Sequence, residues 1–340
     1  MNVLVLMSGG VDSSVAAARL VHAGHDVTGA TLRLWGGETG SGCCSVSDVE
    51  DARRVAAQLD IPHYVFNFAD AFTASVVEPY VASYADARTP NPCVDCNRAI
   101  KFGRALDRAV ALGFDAVATG HHARVERGPG GAYRLRRGAD LAKDQSYVLY
   151  MLGQGELARA LFPVGELTKA EVRAQAARLG LRTATKPESM DVCFIARGDR
   201  NRFLAAHAPR RPGPVVDATG RVLARHAGIA EFTVGQRRGL GIAGGGPHYV
   251  VGIDAATATV TVGDRAALVD QEIPVRDLRF VGDAPGVEPL LVQTRAHGVP
   301  VPGRLAGDRV RLDAPAPRVA PGQVVALYDG DQLVGGGLAA

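Results

Sequence analysis

The chain has 340 residues, of which 47% are hydrophobic, and a formal net charge of +3 at pH 7. This length exceeds the ~150 residues of an average domain, which predicts two or three domains. No apolar run approaches the ~20 residues that span a bilayer, and the amino terminus lacks the pattern of a secretory leader. We therefore exclude membrane and secreted proteins and expect a cytoplasmic location without a membrane partner.

The first predicted elements are a buried strand at residues 3–6 and a helix at residues 15–21. Between them lies the sequence Ser8-Gly9-Gly10-Val11-Asp12-Ser13-Ser14. Glycines let the backbone approach an anion, and the first N–H groups of a helix point toward it with the positive dipole end behind them. An ordinary turn needs one serine or aspartate as a cap, not two glycines and three serines. The loop therefore predicts a phosphate site, although it lacks the lysine of a Walker A motif.

Strands and helices continue to alternate in the first half of the chain. We predict strands at residues 26–34, 63–68 and 115–119, and helices at 47–59, 97–112, 146–152 and 168–179. Capping boxes begin the helices at 47 and 168, and glycines follow two helices as stops. This alternation predicts a doubly wound parallel α/β sheet whose ligand lies beyond the carboxyl ends of the strands. Leu32, Gly120, His121 and His122 fall at that edge together with the polar loop.

The composition changes after about residue 202. A proline-rich linker at 209–214 precedes short β-like runs at residues 215–216, 232–234, 248–253, 259–262, 290–295, 309–312 and 323–328. Turn residues between the runs favour sheet or barrel architecture. We predict domains at residues 1–202, 203–266 and 267–340, the last two β-rich and the final one a β-barrel. A glycine pattern at 239–244 matches a dinucleotide-binding motif, but no helix follows it, so we reject that interpretation.

Arginines are unevenly distributed along the chain. The clusters are Arg124, Arg127, Arg134, Arg136 and Arg137, then Arg197, Arg200 and Arg202, then Arg237 and Arg238. Local basic patches can bind a polyanion even where the net charge is small. A solvated arginine-rich face is an equally good interpretation from charge alone.

The five cysteines are Cys43, Cys44, Cys93, Cys96 and Cys193. Their odd number argues against a framework of structural disulfides and favours metal, redox or nucleophilic chemistry. Cys43 and Cys44 lack histidine or cysteine partners nearby, so we expect them to be buried hydrophobic residues. We expect Asn97 to cap a helix and Cys96 to lie near its N-terminus, where the dipole favours the thiolate.

The polar loop resembles the pyrophosphate loop of the ATP-pyrophosphatase (PP-loop) superfamily, and nearly the whole chain resembles the tRNA-specific 2-thiouridylases. The matching segments, in order, are residues 8–14, 89–92, 96–97, 118–121, 143–147, 162–165, 193–195, 235–241 and 321–323. The resemblance implies a nucleotide alpha hydrolase-like domain and an ATP-dependent transferase. That enzyme places sulfur on the wobble uridine (U34) of tRNAs for lysine, glutamate and glutamine.

The resemblance also implies roles for individual residues. ATP and Mg²⁺ would bind at Leu6, Met7, Ser8, Gly9, Gly10, Val11, Asp12, Ser13, Ser14, Leu32 and Gly120. The tRNA would contact Asn91, Pro92, Cys93, His121, Lys143, Asp144, Gln145, Arg295, Ala296 and Gln323. Cys193 would carry a persulfide from a sulfur donor or relay protein, and Cys96 would close a disulfide with it.

One position departs from the family pattern. Many members carry an aspartate, thought to act as an acid or base, where this chain has Cys93, which leaves Asp95 as a weak candidate acid. Cys93, Cys96 and Cys193 together can hold a [4Fe–4S] cluster with one open iron, or a zinc ion. Sulfide delivery by such a cluster is the alternative to the persulfide. An ammonia-using adenylating enzyme and a non-catalytic, metal-dependent RNA-binding protein are the rival functions.

Overall fold

The computed structural model describes residues 1–35, 46–187, 192–195, 198–243, 246–286 and 288–340. Cys43, Cys44, Arg197 and Gly244 lie outside the described residues, so the expectations for them stay predictions. Within the described parts of the chain, no helix is long and apolar enough to cross a bilayer.

The strands, in chain order, are β1 (Asn2–Leu6), β2 (Asp26–Arg33), β3 (His63–Asn67), β4 (Ala116–Ala118), β5 (Ala123–Arg127), β6 (Tyr133–Arg137), β7 (Ala160–Leu161), β8 (Gly213–Val216), β9 (Val222–His226), β10 (Tyr249–Asp254), β11 (Thr259–Gly263), β12 (Val269–Phe280), β13 (Leu290–Gln293), β14 (Val301–Ala306), β15 (Arg309–Pro317), β16 (Val324–Asp329) and β17 (Gln332–Ala339).

The α-helices are α1 (Val11–His22), α2 (Val46–Gln58), α3 (Ala69–Phe72), α4 (Glu78–Ala85), α5 (Pro92–Asp95), α6 (Ala105–Ala111), α7 (Gln154–Leu157), α8 (Lys169–Arg178) and α9 (Arg200–His207). π-helical turns at Thr73–Val77 and Cys96–Arg104 join α3 to α4 and α5 to α6. Short 3₁₀ turns lie at Pro129–Gly131, Ser146–Leu149, Arg182–Thr185, Ile229–Glu231 and Ala266–Leu268.

The first sheet is parallel, with the strand order β3-β2-β1-β4-β7. Alternate residues of β1 point into different hydrophobic clusters: Leu4 and Leu6 into one, Val3 and Val5 into the other. Both faces of the sheet are therefore covered, which confirms the predicted doubly wound α/β class. β2 pairs with one side of β1 and β4 pairs with the other, so the strand order changes direction at β1. The resulting switch point is where such sheets bind ligands.

Two further sheets follow in the second half of the chain. β10-β11-β8-β9 form one sheet, and β12-β15-β14-β13-β16-β17 close into a barrel because β17 also pairs with β12. The β-rich architecture with a final barrel is therefore confirmed. The predicted run at 232–234 forms no strand, since Phe232 instead fills the core of the central sheet.

The hairpin of β5 and β6 is the main feature that the sequence did not predict. It lies within the first part of the chain, yet β6 pairs with β17 of the barrel. The division at residues 202 and 266 stays a prediction, and this hairpin ties the first predicted domain to the last. The helix predicted at 146–152 is also wrong, because that segment forms only a 3₁₀ turn.

Candidate active site

The polar loop after β1 forms a turn that leads directly into α1. Between these elements Gly9 adopts a φ of +71°, a conformation that a side chain would strain. Gly10 is the N-cap and has no side chain to cover the first turn of α1. The N–H groups of that turn, at the positive end of the helix dipole, are therefore suited to bind a phosphate group.

The serine hydroxyls of the loop stabilise the turn itself. Ser13 Oγ and Ser14 Oγ donate to Gly10 O at 3.2 and 2.8 Å. Ser8 N donates to Ser13 Oγ at 3.2 Å. Ser13 and Ser14 are buried, so these bonds satisfy hydroxyl groups that water does not reach.

Close packing around the loop requires glycine at two predicted nucleotide-binding positions. A Cβ on Gly9 would lie 2.3 Å from Asp48 O in the first turn of α2. A Cβ on Gly120, just after β4, would lie 2.6 Å from Ser13 N. The segments after β1 and β4 and the start of α2 thus converge at one edge of the sheet. This is the edge at which the ligand was expected.

Asp12 is held by two basic residues from distant parts of the chain. Lys169 Nζ lies 2.7 and 2.6 Å from the two carboxylate oxygens of Asp12, and His122 Nε2 lies 3.2 Å from Oδ1. Burial raises the pKa of Asp12, but hydrogen bonds and charges from His122 and Lys169 outweigh burial and lower that pKa overall. The carboxyl group is therefore ionised at neutral pH. Lys169 is absent from the site residues predicted from sequence. Its position at the start of the helix that follows β7 could have indicated it, because ligands bind where such sheets end.

One hydrophobic cluster contains two predicted nucleotide-binding leucines and both predicted catalytic cysteines. Leu6 and Leu32, near the ends of β1 and β2, are buried in one hydrophobic cluster with Cys96 and Phe194. Cys193 is half-buried and packs against the same cluster. The predicted nucleotide-binding leucines and both predicted catalytic cysteines therefore border one apolar region.

The helix after the proline-rich loop begins earlier than predicted. Asn91 is its N-cap and accepts a hydrogen bond from Cys93 N at 3.0 Å, and Pro92 occupies the first turn. The prediction that Asn97 caps this helix is wrong, because Asn97 is buried and its Nδ2 donates to a backbone carbonyl at 3.0 Å. The Asn-Pro pair was itself the start signal, since proline fits the first helical position.

This earlier start changes the surroundings expected for two thiols. Cys93 lies in the first turn of α5, where the helix dipole favours a thiolate. Cys96 lies one turn later, is buried, and begins the π-helical turn Cys96–Arg104. The dipole argument made for Cys96 therefore applies to Cys93. π-helical turns occur frequently at functional sites, which favours the predicted catalytic role of Cys96.

Asp95, the candidate acid, is the last residue of α5. Its Oδ1 accepts a hydrogen bond from Arg98 at 2.5 Å. Burial raises the pKa of Asp95, while the charges of Arg98 and Arg276 partly offset that rise. Arg276 belongs to β12, so a charge of the barrel acts on the pKa of Asp95.

The barrel and the segment before β10 both contact the loop that precedes Cys93. Thr89 N donates to Pro321 O at 2.6 Å, and Gln323 Nε2 donates to Thr89 O at 2.5 Å. Thr89 Oγ1 donates to Thr233 Oγ1 at 3.4 Å. Gln323, a predicted tRNA contact, is thus bound to the main chain next to the predicted target-base residues.

The other predicted tRNA-binding residues differ in exposure. Those with exposed or partly exposed surface are Asn91, Cys93, Lys143, Gln145, Arg295 and Ala296. Pro92, His121 and Asp144 are buried. Burial lowers the pKa of His121 well below its usual value, and its Nδ1 lies 2.6 Å from Thr119 Oγ1. His121 is therefore a neutral hydrogen-bonding group at neutral pH.

The arginine cluster of residues 124–137 is largely paired within the protein. Arg124 and Arg136 both contact Asp331 of the barrel, at 2.8 and 2.5 Å, and Arg136 also pairs with Glu126 at 2.7 Å. Arg137 pairs with the buried Asp144. These arginines attach the β5–β6 hairpin to the barrel, so the interpretation as a polyanion-binding patch does not hold for them.

The three thiols do not fit an iron–sulfur cluster in this structure. Among the described residues, no group of three or more histidine, cysteine, aspartate or glutamate side chains is arranged to hold a metal ion. Cys93, Cys96 and Cys193 all belong to the described residues. Cluster ligation by this set would therefore need the three thiols to move together.

Three family models match consecutive parts of the chain. They are described as a tRNA methyl transferase HUP domain, a tRNA methyl transferase PRC-barrel domain and an aminomethyltransferase beta-barrel domain. The matched residues are 1–197, 201–264 and 270–339.

Full-length relatives carry a more specific name. The tRNA-specific 2-thiouridylase MnmA of Chloroflexus aurantiacus is 50% identical over 349 residues, 99% of this chain and 97% of that protein. The protein of the same name from Mycobacterium avium is 52% identical over 354 residues, 98% of each chain. A solved 4-thiouridine synthetase in complex with RNA and ATP is 19% identical. It covers 61% of this chain and 46% of that chain, with a TM-score of 0.39, which carries no argument about function.

The domain descriptions mention methyl transfer, whereas the full-length relatives are named for thiolation. The relatives decide between the two, because half of the residues are identical over almost the entire length. The chain therefore belongs to the family of tRNA-specific 2-thiouridylases.

Proposed function

We propose that this protein replaces the C2 oxygen of the wobble uridine (U34) of tRNA with sulfur, in an ATP-dependent reaction that forms 2-thiouridine. The observation that carries the proposal is the shared apolar cluster of Leu6, Leu32, Cys96 and Cys193 beside the glycine-rich loop. A phosphate loop alone would suit any adenylating enzyme. Two cysteines in the cluster that also contains Leu6 and Leu32 add the thiol chemistry that sulfur transfer requires.

ATP is consumed as a substrate at the loop. The first-turn N–H groups of α1 and the ammonium of Lys169 bind its phosphates, and Leu32 and Gly120 border its nucleoside part. Asp12, whose carboxylate Lys169 contacts in this structure, would hold Mg²⁺ once Lys169 turns to the phosphates, and the ion would supply positive charge at the leaving pyrophosphate. The C2 oxygen of U34 attacks the α-phosphate and pyrophosphate leaves, so that the oxygen can later depart as part of AMP.

Sulfur then arrives on Cys193 as a persulfide. The terminal sulfur attacks C2 of the uridine, and AMP leaves with the former C2 oxygen. The thiolate of Cys96 attacks Cys193 Sγ, the S–S bond of the persulfide breaks, and its electron pair stays with the sulfur on C2. Cys96 and Cys193 end as a disulfide, and a cellular dithiol returns both to thiols.

The tRNA contacts follow from exposure. Asn91 and Cys93 border the extruded base, in keeping with enzymes that flip a base into a pocket. Lys143, Gln145 and Arg295 present side chains to the RNA, and Ala296 lies beside them. We assign His121, Asp144 and Pro92 to shaping this surface from beneath, because they are buried. The substrates are wobble-uridine tRNAs for lysine, glutamate and glutamine, and the sulfur comes from a donor or relay protein.

Cys93 keeps a second sulfur route open, because it adds a third thiol to the region. An iron–sulfur cluster on Cys93, Cys96 and Cys193, for which the three thiols would first have to move together, would deliver sulfide without a persulfide. The two routes differ in whether iron is needed. The test is thiolation of unmodified tRNA by anaerobically purified protein with ATP, Mg²⁺ and, in separate reactions, a persulfide donor or sulfide, read by mass spectrometry of the digested tRNA beside an iron assay.

Each outcome of that assay has one meaning. 2-Thiouridine formed by iron-free protein from the persulfide donor supports the persulfide route, because the donor passes its outer sulfur to Cys193 and leaves as a thiol. Product only from iron-containing protein assigns the three cysteines to a cluster. ATP-independent tRNA binding without product, with a relay protein also present, would support the non-catalytic RNA-binding function and contradict the proposal. Loss of product on replacing either Cys96 or Cys193 would exclude the ammonia-using rival, which needs neither cysteine.

Lys169→Met is expected to raise KM for ATP about tenfold or more, because a cation at the phosphates is lost (~1.4 kcal/mol or more). Lys169→Arg should retain most of the affinity. The double variant Asp12→Asn/Lys169→Met separates two roles. If Lys169 binds phosphate, removal of Asp12 does not restore ATP binding. Restoration to the wild-type KM would contradict the prediction, since Lys169 would then only neutralise Asp12.

A further inference from the structure

Arg137 occupies a buried position between two parts of the protein. It is the last residue of β6 and is 8% exposed. Its Nη1 donates to Asp144 Oδ2 at 3.0 Å and to Gln293 Oε1 at 2.7 Å. The guanidinium carbon lies 3.6 Å from the centre of the Tyr328 ring. One charged group is therefore enclosed by a carboxylate, an amide and an aromatic face.

Asp144 uses its remaining hydrogen-bonding capacity to shape the segment around it. Oδ1 accepts from Gly138 N and from Ser146 N, each at 3.0 Å. Oδ2 accepts from Ser146 Oγ at 2.9 Å. These bonds fix the turn that carries Lys143 and Gln145 on its surface.

Gln293 holds a turn of the barrel in the same way that Asp144 holds the turn around Lys143. It is the last residue of β13 and is 2% exposed. Its Nε2 donates to Arg295 O at 2.9 Å and to Ala296 O at 3.0 Å. The turn that presents Arg295 and Ala296 to solvent is thus held by a buried amide whose oxygen is bound to Arg137.

We propose that Arg137 is a positioning residue for tRNA recognition. Through Asp144 and Gln293 it fixes the distance between the Lys143–Gln145 surface and the Arg295–Ala296 surface, which belong to different parts of the chain. This inference rests on the proposed function, in which both surfaces contact one tRNA. A rigid spacing between them lets the RNA bind without first ordering either turn, which lowers the entropic cost of association.

Arginine suits this position better than lysine does. A planar guanidinium can serve two acceptors and lie flat on an aromatic ring at the same time, whereas an ammonium is a compact point charge. Complete removal of the charge would leave Asp144 buried without its counter-ion, which is strongly destabilising. Arg137→Lys keeps the charge and is therefore the informative variant, and Gln293→Met breaks the barrel side alone.

The experiment compares Arg137→Lys, Gln293→Met and Arg136→Lys in the full chain. Arg136 is the matched control, because it is the neighbouring residue, pairs with Glu126 and Asp331, and contacts neither surface. We measure KM for tRNA, KM for ATP, kcat and thermal unfolding. Arg137→Lys and Gln293→Met should each raise KM for tRNA about tenfold (~1.4 kcal/mol). KM for ATP and kcat at saturating tRNA should stay within about twofold.

The double variant Arg137→Lys/Gln293→Met tests whether the two residues act through one connection. Because both residues act through one connection, the double variant should raise KM for tRNA little more than either single variant. A KM for tRNA in Arg137→Lys equal to that of Arg136→Lys would overturn the inference, as would an equal rise in KM for ATP. Both comparisons of KM are made with a wild-type protein that thiolates tRNA. A wild type that forms no 2-thiouridine would refute the proposed function instead.

Discussion

Cys193→Ser is expected to abolish 2-thiouridine formation, with a loss of about 10³-fold or more, because a serine hydroxyl cannot carry a persulfide. Adenylation does not need this thiol, so tRNA-dependent release of pyrophosphate should persist. Cys193 packs against the cluster that contains Cys96 and Leu32, and serine is close to cysteine in size. The measurement is the ratio of 2-thiouridine to pyrophosphate in the same reaction.

Two companion variants make this prediction specific. Cys96→Ser should stall the reaction with the sulfur still bridging Cys193 and the uridine, and an added small thiol should release part of the product. Cys93→Ser should keep thiolation within about tenfold, because the persulfide route uses Cys93 only beside the base. If Cys93→Ser is as inactive as Cys193→Ser and the wild type contains iron, the persulfide route is contradicted.

Gly9→Ala is expected to weaken ATP binding about a hundredfold. Alanine at a φ of +71° is strained, and its Cβ would lie 2.3 Å from Asp48 O, a backbone atom that no rotamer change can move away. The two effects together amount to ~2–3 kcal/mol, which the loop can relieve only by changing its shape. Equilibrium binding of a non-hydrolysable ATP analogue measures the loss directly.

Gly24→Ala is the matched control for that variant. Gly24 follows the other end of α1 and has a φ of +78°, and among the described residues no atom lies within 4 Å of its added Cβ. Gly24→Ala therefore carries the conformational cost of a positive φ, ~1 kcal/mol of stability, without any clash in the nucleotide loop. Equal ATP affinity in Gly9→Ala and Gly24→Ala would contradict the role of the loop.

Local patterns predicted those parts of the structure that depend on local chemistry. The strand at residues 3–6 and the helix at 168–179 were recognisable from a buried run and a capping box. The glycines at 9 and 120 were expected from the nucleotide-binding loop and the family resemblance. The contacts that exclude a side chain there come from Asp48 and Ser13, which are brought close only in the folded chain.

Residues that act through long-range contacts were not predictable in the same way. Lys169 reaches Asp12 only because α8 follows β7 at the edge of the same sheet. Asp144 reads as a surface charge in a polar segment, yet the hairpin of β5 and β6 buries it against Arg137. No periodicity within the hairpin indicates that β6 pairs with a strand near the end of the chain.

The most direct test of the central claim follows the oxygen that sulfur replaces. The thiolation reaction is run with unlabelled tRNA in water enriched in oxygen-18, and AMP and 2-thiouridine are quantified by mass spectrometry. If the C2 oxygen of U34 attacks ATP, AMP forms in step with 2-thiouridine and carries no oxygen from the solvent. AMP that contains solvent oxygen in amounts equal to the 2-thiouridine formed would contradict adenylation of the uridine.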